Sequence, residues 1–279
     1  MPMLKRASKA TLVVGKVFAF TKAVLTAEKI PQFYWTLILS GKASLGYCPV
    51  CGSRTLILKV GDLIREHYLC VFCGSNSRNR ALMRVLNTVS SRWRELTIHE
   101  ASPAGAASYV LKSQCRGYLA THFYTDVPRG GYKDGMRCEN LERMTFGDGS
   151  FDVVITQDVL EHVLNPGNAF SEIARILKPG GLHIFTVPYN NRGTTAVRAV
   201  EASEGIEHLQ EPTYHGNPIS AQGSLVTVDW GNDLVDFIYL KSRMTTTVYS
   251  LWDKSLVPGG ARLDVFVSRK HSLEKHLLN

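Results

Sequence analysis

Between residues 146 and 188 the apolar and polar positions fall into a legible order. Phe151-Asp152-Val153-Val154-Ile155-Thr156 is a short, β-branched apolar run that follows the turn residues Gly147-Asp148-Gly149-Ser150. Such a run predicts a strand covered on both faces, as in a parallel sheet. Phe170, Ile173, Ala174 and Leu177 then recur at i, i+3, i+4 and i+7, one face of a helix. Lys178-Pro179-Gly180-Gly181 supplies a cation, a proline and glycines where that helix should stop. Leu182–Val187 is a second apolar run and predicts a second strand. Strand, crossover helix and strand make a right-handed βαβ unit, which stacks into doubly wound sheets.

The residues that form this unit also carry a family likeness. The succession DGSFDVV, VLEHV, a proline, an apolar helix, LKPGG and a strand resembles the fourth and fifth strands of class I S-adenosylmethionine-dependent methyltransferases, the type 11 branch in particular. The resemblance extends from about residue 95 to 270 and thins after 189. It implies a Rossmann-like, doubly wound, seven-stranded, mostly parallel α/β sheet with a closing antiparallel hairpin. Within that frame Leu96–Glu100, Gly117–Thr121 and residues near 136–139 are the first three strands. Asp233–Leu240 is a helix, and Thr245–Tyr249 and Leu263–Ser268 form the hairpin around Pro258-Gly259-Gly260. A Rossmann-like fold by itself leaves the activity open; the resemblance implies methyl transfer from S-adenosylmethionine.

The resemblance also assigns a cofactor site. Members of the family follow the first strand with an acid and a glycine-rich turn. This chain has His99-Glu100-Ala101-Ser102-Pro103-Ala104-Gly105, with one glycine, and Ala101 and Ser102 are small enough for close approach. His122 stands where an acid usually meets the ribose hydroxyls, with Asp126 four residues on. Asn140, with Leu141 beside it, aligns with the adenine reader and keeps a carbonyl acceptor. Gln157 and Asp158 end the fourth strand, at the carboxyl edge where open α/β sheets bind ligands.

Substrate chemistry is expected beside that edge. His162, in Glu161-His162, is a candidate general base, although Glu-His in this place also fits a structural or cofactor-supporting part. Residues 189–230 form a long polar connection, the kind that is usually functional. In it Asn190, Arg192, His208, Tyr214 and His215 are the candidate substrate contacts, with His215 a second candidate base; an ordinary solvated loop is the plainer reading. A small molecule or a saccharide suits these side chains.

Upstream, Cys48-Pro49-Val50-Cys51 and Cys70-Val71-Phe72-Cys73 give C-x2-C-x18-C-x2-C, and Gly52 and Gly74 follow the two pairs. The spacing predicts a zinc ribbon with Cys48, Cys51, Cys70 and Cys73 as ligands of a closed structural Zn²⁺. Disulfides fit less well in a chain that reads as cytosolic, and a redox C-x-x-C fits less well because two copies occur without a thioredoxin-like context. Cys115 and Cys138 have no metal spacing and are expected to be covered apolar residues. After the ribbon, Ala81, Leu82, Val85 and Leu86 predict a helix capped by Ser75 or Ser77. Arg78, Arg80 and Arg84 near its start can grip phosphate, which would suit an RNA substrate, or pair with acids and fix the ribbon.

Composition adds one asymmetry. The chain of 279 residues carries a net charge of +8 and is 44% hydrophobic. Residues 1–45 hold seven Lys and Arg against Glu28 alone, 7 − 1 = +6, so most of the excess sits there. Leu12, Val13, Val17, Phe20, Val24 and Leu25 recur at helical spacing, predicting a basic amphipathic helix. It can pack on the protein or, through residues 1–30, rest on an anionic membrane. Lysines interrupt Thr11–Ile30, so a spanning helix is not expected there, and no export signal is legible, which points to the cytoplasm. The domain plan is therefore a basic helical segment over 1–45, a ribbon over 46–75, a methyltransferase domain over 76–270 with substrate loop 189–230, and a tail over 271–279. Oligomeric state is not legible.

Overall fold

The computed structural model describes residues 32–203, 205–217, 220–253, 256 and 261–272. The expected amphipathic helix before residue 32, the turn at 258–260 and the tail from 273 lie outside the described residues. The chain divides into two compact units, Met1–Arg84 with Leu251–Leu263, and Val85–Ser250 with Asp264–Asn279.

In the first unit α1 (Gln32–Leu39) precedes an antiparallel sheet of β1 (Ala43–Cys48), β2 (Ser53–Lys59) and β3 (Tyr68–Cys70). One of its buried clusters is Ala43, Leu56 and Val71, with Leu37, Ile38, Leu58 and Phe72 packed around them, and Val50, Ile57, Leu82 and Met83 are buried in this unit as well. The helix α2 (Ser77–Val89) starts in this unit. Neither expected serine caps it. The Asn76 side chain accepts from the Asn79 N–H at 2.8 Å, while the Ser75 hydroxyl lies 3.2 Å from the Cys48 and Cys73 sulfurs. The capping position falls between the two serines because the second cysteine knuckle has already claimed Ser75.

The second unit is the expected α/β sheet. Its elements in order are β4 (Thr97–Ala101), α3 (Gly105–Gln114), β5 (Gly117–His122), β6 (Tyr132–Lys133), β7 (Met136–Cys138), β8 (Phe151–Gln157), α4 (Pro166–Ile176) and β9 (Leu177–Thr186). There follow β10 (Tyr189–Asn190), β11 (Ala196–Val197), β12 (Ala199–Ala202), β13 (Gly205–His208), β14 (Tyr214–Asn217), β15 (Ser220–Leu225), β16 (Val228–Gly231), α5 (Leu234–Ser242), β17 (Thr245–Leu251) and β18 (Leu263–Arg269). The main sheet has the order β17-β18-β9-β8-β4-β5-β7-β6. Pairs β7–β5, β5–β4, β4–β8 and β8–β9 are parallel and β18–β9 is antiparallel. The chain therefore has the Rossmann-like, doubly wound, mostly parallel architecture with a reversed edge.

Eight strands stand where seven were expected, because β6 adds a short antiparallel edge to β7. Asp134 and Gly135 between them both have positive φ, 51° and 77°, the backbone of a tight hairpin turn for which Asp-Gly is a favoured pair. The strand β9 also begins earlier than Leu182. Register passes from Phe151↔Leu177 to Val153↔Leu182, so Lys178–Gly181 is a bulge at the start of the strand. The helix α4 still ends at Ile176.

Core packing fixes the rest. Phe170, Ile173 and Ala174 of α4 join Val154, Phe185 and Phe266 of the sheet and Trp230, Leu234 and Ile238 beyond it in one buried cluster. At the amino edge of the strands the Asp152 carboxylate accepts from Thr97 N and Oγ1 and from Lys178 Nζ at 2.8, 2.6 and 2.9 Å, tying three adjacent strands. Cys115 and Cys138 are buried, as expected of covered apolar residues. No helix among the described residues is long and apolar enough to cross a membrane.

Candidate functional site

The carboxyl edge of the central strands collects the polar side chains. Glu100 near the end of β4 is fully buried, and its carboxylate accepts three hydrogen bonds. Ser108 Oγ on α3 and Gln157 Nε2 on β8 donate to Oε1, both at 2.8 Å, and the Tyr118 hydroxyl on β5 donates to Oε2 at 2.6 Å. Burial pushes the Glu100 carboxyl up, against the three donors that favour its ionised form. The two expected cofactor residues Glu100 and Gln157 are thus joined directly.

The turn after β4 keeps the backbone shape of a glycine turn although the glycines are gone. Ser102 has φ 52° and Gly105 φ 80°, both in the left-handed region that a side chain disfavours. The Ser102 N–H donates to Thr121 O at 2.7 Å, which holds the turn against the end of β5. Gly105 opens α3, so that helix presents its first N–H groups at this edge. Asp158, at the end of β8, is a second non-glycine in the left-handed region, with φ 52°. Its N–H donates to Thr186 O and its carboxylate accepts from Thr186 Oγ1, both at 2.9 Å. Left-handed backbone at non-glycine positions gathers where function holds it. Close approach of a ligand to Ala101–Gly105 therefore fits the geometry present.

Other expected cofactor residues divide. His122 ends β5 in a mostly buried place that lowers its pKa. Asp126 is held by Lys133 at 2.5 Å and exposed. The Asn140 side-chain oxygen accepts from Glu142 N–H at 2.8 Å, closing a local turn through one of its two lone pairs. Leu141 beside it is buried. His99 requires a correction. Strand alternation turns it away from Glu100, and its ring is fully buried against Phe146 and Phe151 at 5.1 and 5.3 Å. Its Nε2 shares a hydrogen bond with Thr121 Oγ1 at 2.9 Å, and burial brings its pKa down to about 3. His99 supports the strand from within.

Just past Asp158, a 3₁₀ turn at Leu160–His162 carries the second group of interest. Thr227 fastens residues 189–230 to it: its N–H donates to Glu161 O at 2.7 Å, and its one hydroxyl hydrogen is shared between Val163 O and Glu161 O at 2.6 and 3.0 Å. The long connection is therefore a set of short strands and hairpins. Arg198 binds them together through Gln210, Asp229, Glu211 O and Thr213. Antiparallel β14 and β15 pair Tyr214 with Leu225 and His215 with Ser224. This hairpin brings His215 to His162, with ring centroids 5.1 Å apart, and Leu225 O accepts from His162 Nδ1–H at 2.8 Å. Burial lowers the His162 pKa, favouring a neutral ring whose Nε2 keeps its lone pair. Glu161 Oε1 lies 3.8 Å from both His162 Nε2 and His215 Nδ1.

Both candidate bases are thus brought together, and Glu161, absent from the expected site residues, completes the group. An acid within the apolar run Val159-Leu160-Glu161-His162-Val163 was the available signal. Tyr214 is exposed on the same hairpin. His208 on β13 is exposed, and the Asn190 side-chain oxygen accepts from Arg192 N–H at 3.1 Å, closing a turn of its own.

In the first unit the four spaced cysteines converge. All are free thiols, and their sulfurs lie within 4.8 Å of one another. Gly52 and Gly74 take φ 69° and 70° after the two knuckles, and their N–H groups donate to Cys48 O and Cys70 O at 2.8 and 2.9 Å. Four converging sulfurs of this kind fit a tetrahedral thiophilic ion. The arginines pair locally. Arg78 meets Glu66 and Arg84 meets Asp253, both at 3.1 Å. Arg80 is fully buried and donates to the carbonyls of Tyr68, Ser75 and Leu256.

Residues 118–185 match the family model described as a methyltransferase domain, which covers β5 to β9. Among curated relatives, the ubiquinone biosynthesis O-methyltransferase of Caulobacter vibrioides is 53% identical over 59 residues, 21% of this chain and 23% of that protein. The dimethylglycine N-methyltransferase of Parasynechococcus marenigrum is 24% identical over 138 residues, 49% of this chain and 36% of that protein. The alignments span well under half of those relatives. Among solved structures, the YcgJ protein of Bacillus subtilis has a TM-score of 0.45 at 10% identity, over 69% of this chain and 99% of that one. The Burkholderia thailandensis 1,6-didemethyltoxoflavin-N1-methyltransferase has 0.41 at 15%, over 70% and 79%. Residues 118–185 thus resemble a methyltransferase domain and lie in the Rossmann-like sheet.

Proposed function

We propose that the chain is an S-adenosylmethionine-dependent methyltransferase acting on a small molecule or saccharide. The observation that carries the reading is the left-handed Ser102 turn at the carboxyl edge of β4, braced by Glu100 and Gln157, within a sheet matched by the methyltransferase-domain model. The turn Ala101–Gly105, with Pro103 in it, and the start of α3 would hold the methionyl part of the cofactor, with Gln157 and Asp158 beside it. His122 would meet the ribose, and Asn140 and Leu141 the adenine. Bound there, the cofactor supplies an electrophilic methyl on its sulfonium. The protein's share is to orient a substrate oxygen, nitrogen or carbon in line with it and to exclude water. The lone pair of His162 Nε2, or His215, can take a proton from a nucleophile that starts protonated. Tyr214, His208, Asn190 and Arg192 are the proposed substrate contacts.

A small substrate is favoured over RNA because Arg78, Arg80 and Arg84 are engaged with Glu66, backbone carbonyls and Asp253. The relatives named for ubiquinone biosynthesis and dimethylglycine point the same way. We further infer that Cys48, Cys51, Cys70 and Cys73 hold one structural Zn²⁺, and that the protein works in the cytoplasm. Calorimetry with S-adenosylmethionine and S-adenosylhomocysteine tests the main reading: saturable heat is expected, weakened in Asn140→Leu. No heat and no thermal shift at millimolar cofactor would leave a binding protein with a methyltransferase-like fold.

A further inference from the structure

We propose that Glu161, His162 and His215 form a site for a first-row divalent cation of the zinc, manganese or iron kind, with positions left for an oxygen ligand. The donor set is one carboxylate and two imidazoles, a combination that suits these ions and, with three protein ligands, leaves coordination open. Each residue offers one ligand atom, and the three atoms lie within 4.8 Å of one another. The carboxylate oxygen is 3.8 Å from each imidazole nitrogen. Two ligands about 2.1 Å from one tetrahedral ion stand roughly 3.4 Å apart, so each carboxylate–imidazole pair needs to close by a few tenths of an ångström, with the two imidazole nitrogens drawing together from within 4.8 Å. Both present distances are longer than a hydrogen bond.

Two further features prepare the site. His162 Nδ1–H donates to Leu225 O at 2.8 Å, which fixes the tautomer and aims the Nε2 lone pair at the group, as a backbone carbonyl commonly does for a metal-bound histidine. Leu225 stands opposite Tyr214, the neighbour of His215, in the β14–β15 hairpin. One hairpin therefore supplies a ligand and also orients another. Exposure rises across the group, from 1% for the Glu161 side chain through 17% for His162 to 42% for His215. A cation there would be anchored on its buried side and open on the other.

The inference deepens the methyltransferase reading and rests on it for its purpose. The open positions would take a hydroxyl or carbonyl oxygen of the substrate, and a hydroxyl bound to the cation is more acidic than a free one. In the loaded site the cation, rather than an imidazole, would activate the nucleophile. The substrate class narrows to molecules whose reacting hydroxyl can sit on a metal.

Cobalt(II) alone is the probe, titrated into the full chain without cofactor. Cobalt on four thiolates shows strong sulfur-to-metal charge-transfer bands, and cobalt on two imidazoles and a carboxylate does not, so the two sites are counted separately. One equivalent without thiolate bands is expected, weakened at least about tenfold by His215→Ala and by Glu161→Gln, with any thiolate-bound equivalent unchanged. Should Glu161→Gln fail to fold, His215→Ala on the open hairpin carries the test, its fold checked by thermal unfolding. Absence of such an equivalent, or unchanged affinity in folded His215→Ala, overturns the proposal. Cofactor calorimetry on the same protein reports separately on the methyltransferase reading.

Discussion

Gln157 Nε2 donates to Glu100 Oε1 at 2.8 Å, linking the carboxyl ends of β8 and β4 across the middle of the sheet. The same oxygen receives Ser108 Oγ from the helix that starts at the left-handed turn. One carboxylate thereby positions two strands and the helix whose amino end faces the proposed cofactor.

Glu100→Gln should therefore damage both stability and binding. An amide offers one acceptor oxygen to the three present donors, and its NH2 confronts one of them. Burying an unsatisfied polar group costs about 1–3 kcal/mol, so thermal unfolding should show a loss of that order. Calorimetry should show weaker cofactor binding, as α3 loses its brace.

Ser102→Gly is expected to act in the opposite sense. The serine holds φ 52°, a backbone region that costs a residue with a Cβ about 1 kcal/mol and glycine far less. The gain is reduced because glycine has more freedom in the unfolded chain. Denaturant unfolding should show a small stabilisation with cofactor affinity kept, and Ser102→Val a clear loss of both.

Two buried histidines make the fold sensitive to acid. His99 and His183 are held neutral, burial bringing each pKa from 6.5 down to about 3. The unfolded chain takes up protons below pH 6.5 that the folded chain refuses. This contribution is therefore fully present above pH 6.5 and is lost as pH falls towards 3. It amounts to several kcal/mol for each ring. His183→Gln, which can keep a hydrogen bond to Thr156, should flatten the dependence of unfolding free energy on pH in that window by about one proton. An unchanged slope would mean that His183 is charged when folded.

Cys70→Ser should abolish the bound zinc and loosen the first unit. The four sulfurs join its two cysteine knuckles, which no disulfide links, so metal binding is expected to supply much of the folding free energy there. Elemental analysis should give no stoichiometric zinc for the variant, and limited proteolysis should cut between residues 52 and 69. The main sheet, with its own core, should stay folded by circular dichroism. Retained zinc would exclude the four-thiolate assignment.

The sequence alone determined the strands β4, β5, β8 and β9, the helix α4 and the order that makes them a doubly wound sheet. Strands covered on both faces must be short apolar runs, and a helix on a sheet must repeat its apolar face every three to four residues, so both leave local marks. The four-cysteine spacing was legible for the same reason: a knuckle is a local turn. The edge strand β6 had its own mark, Asp134-Gly135, although the family resemblance led to a count of seven. Tertiary structure alone decided the rest. Glu100 gathers donors from α3, β5 and β8, and Arg80 is buried by carbonyls as distant in sequence as Leu256. His215 meets Glu161 and His162 because Thr227 and Leu225 fold a long polar connection back onto the 3₁₀ turn. Hydrogen bonds between residues some sixty positions apart leave no periodicity in the chain. They exist only once the sheet has brought the strand ends to one edge.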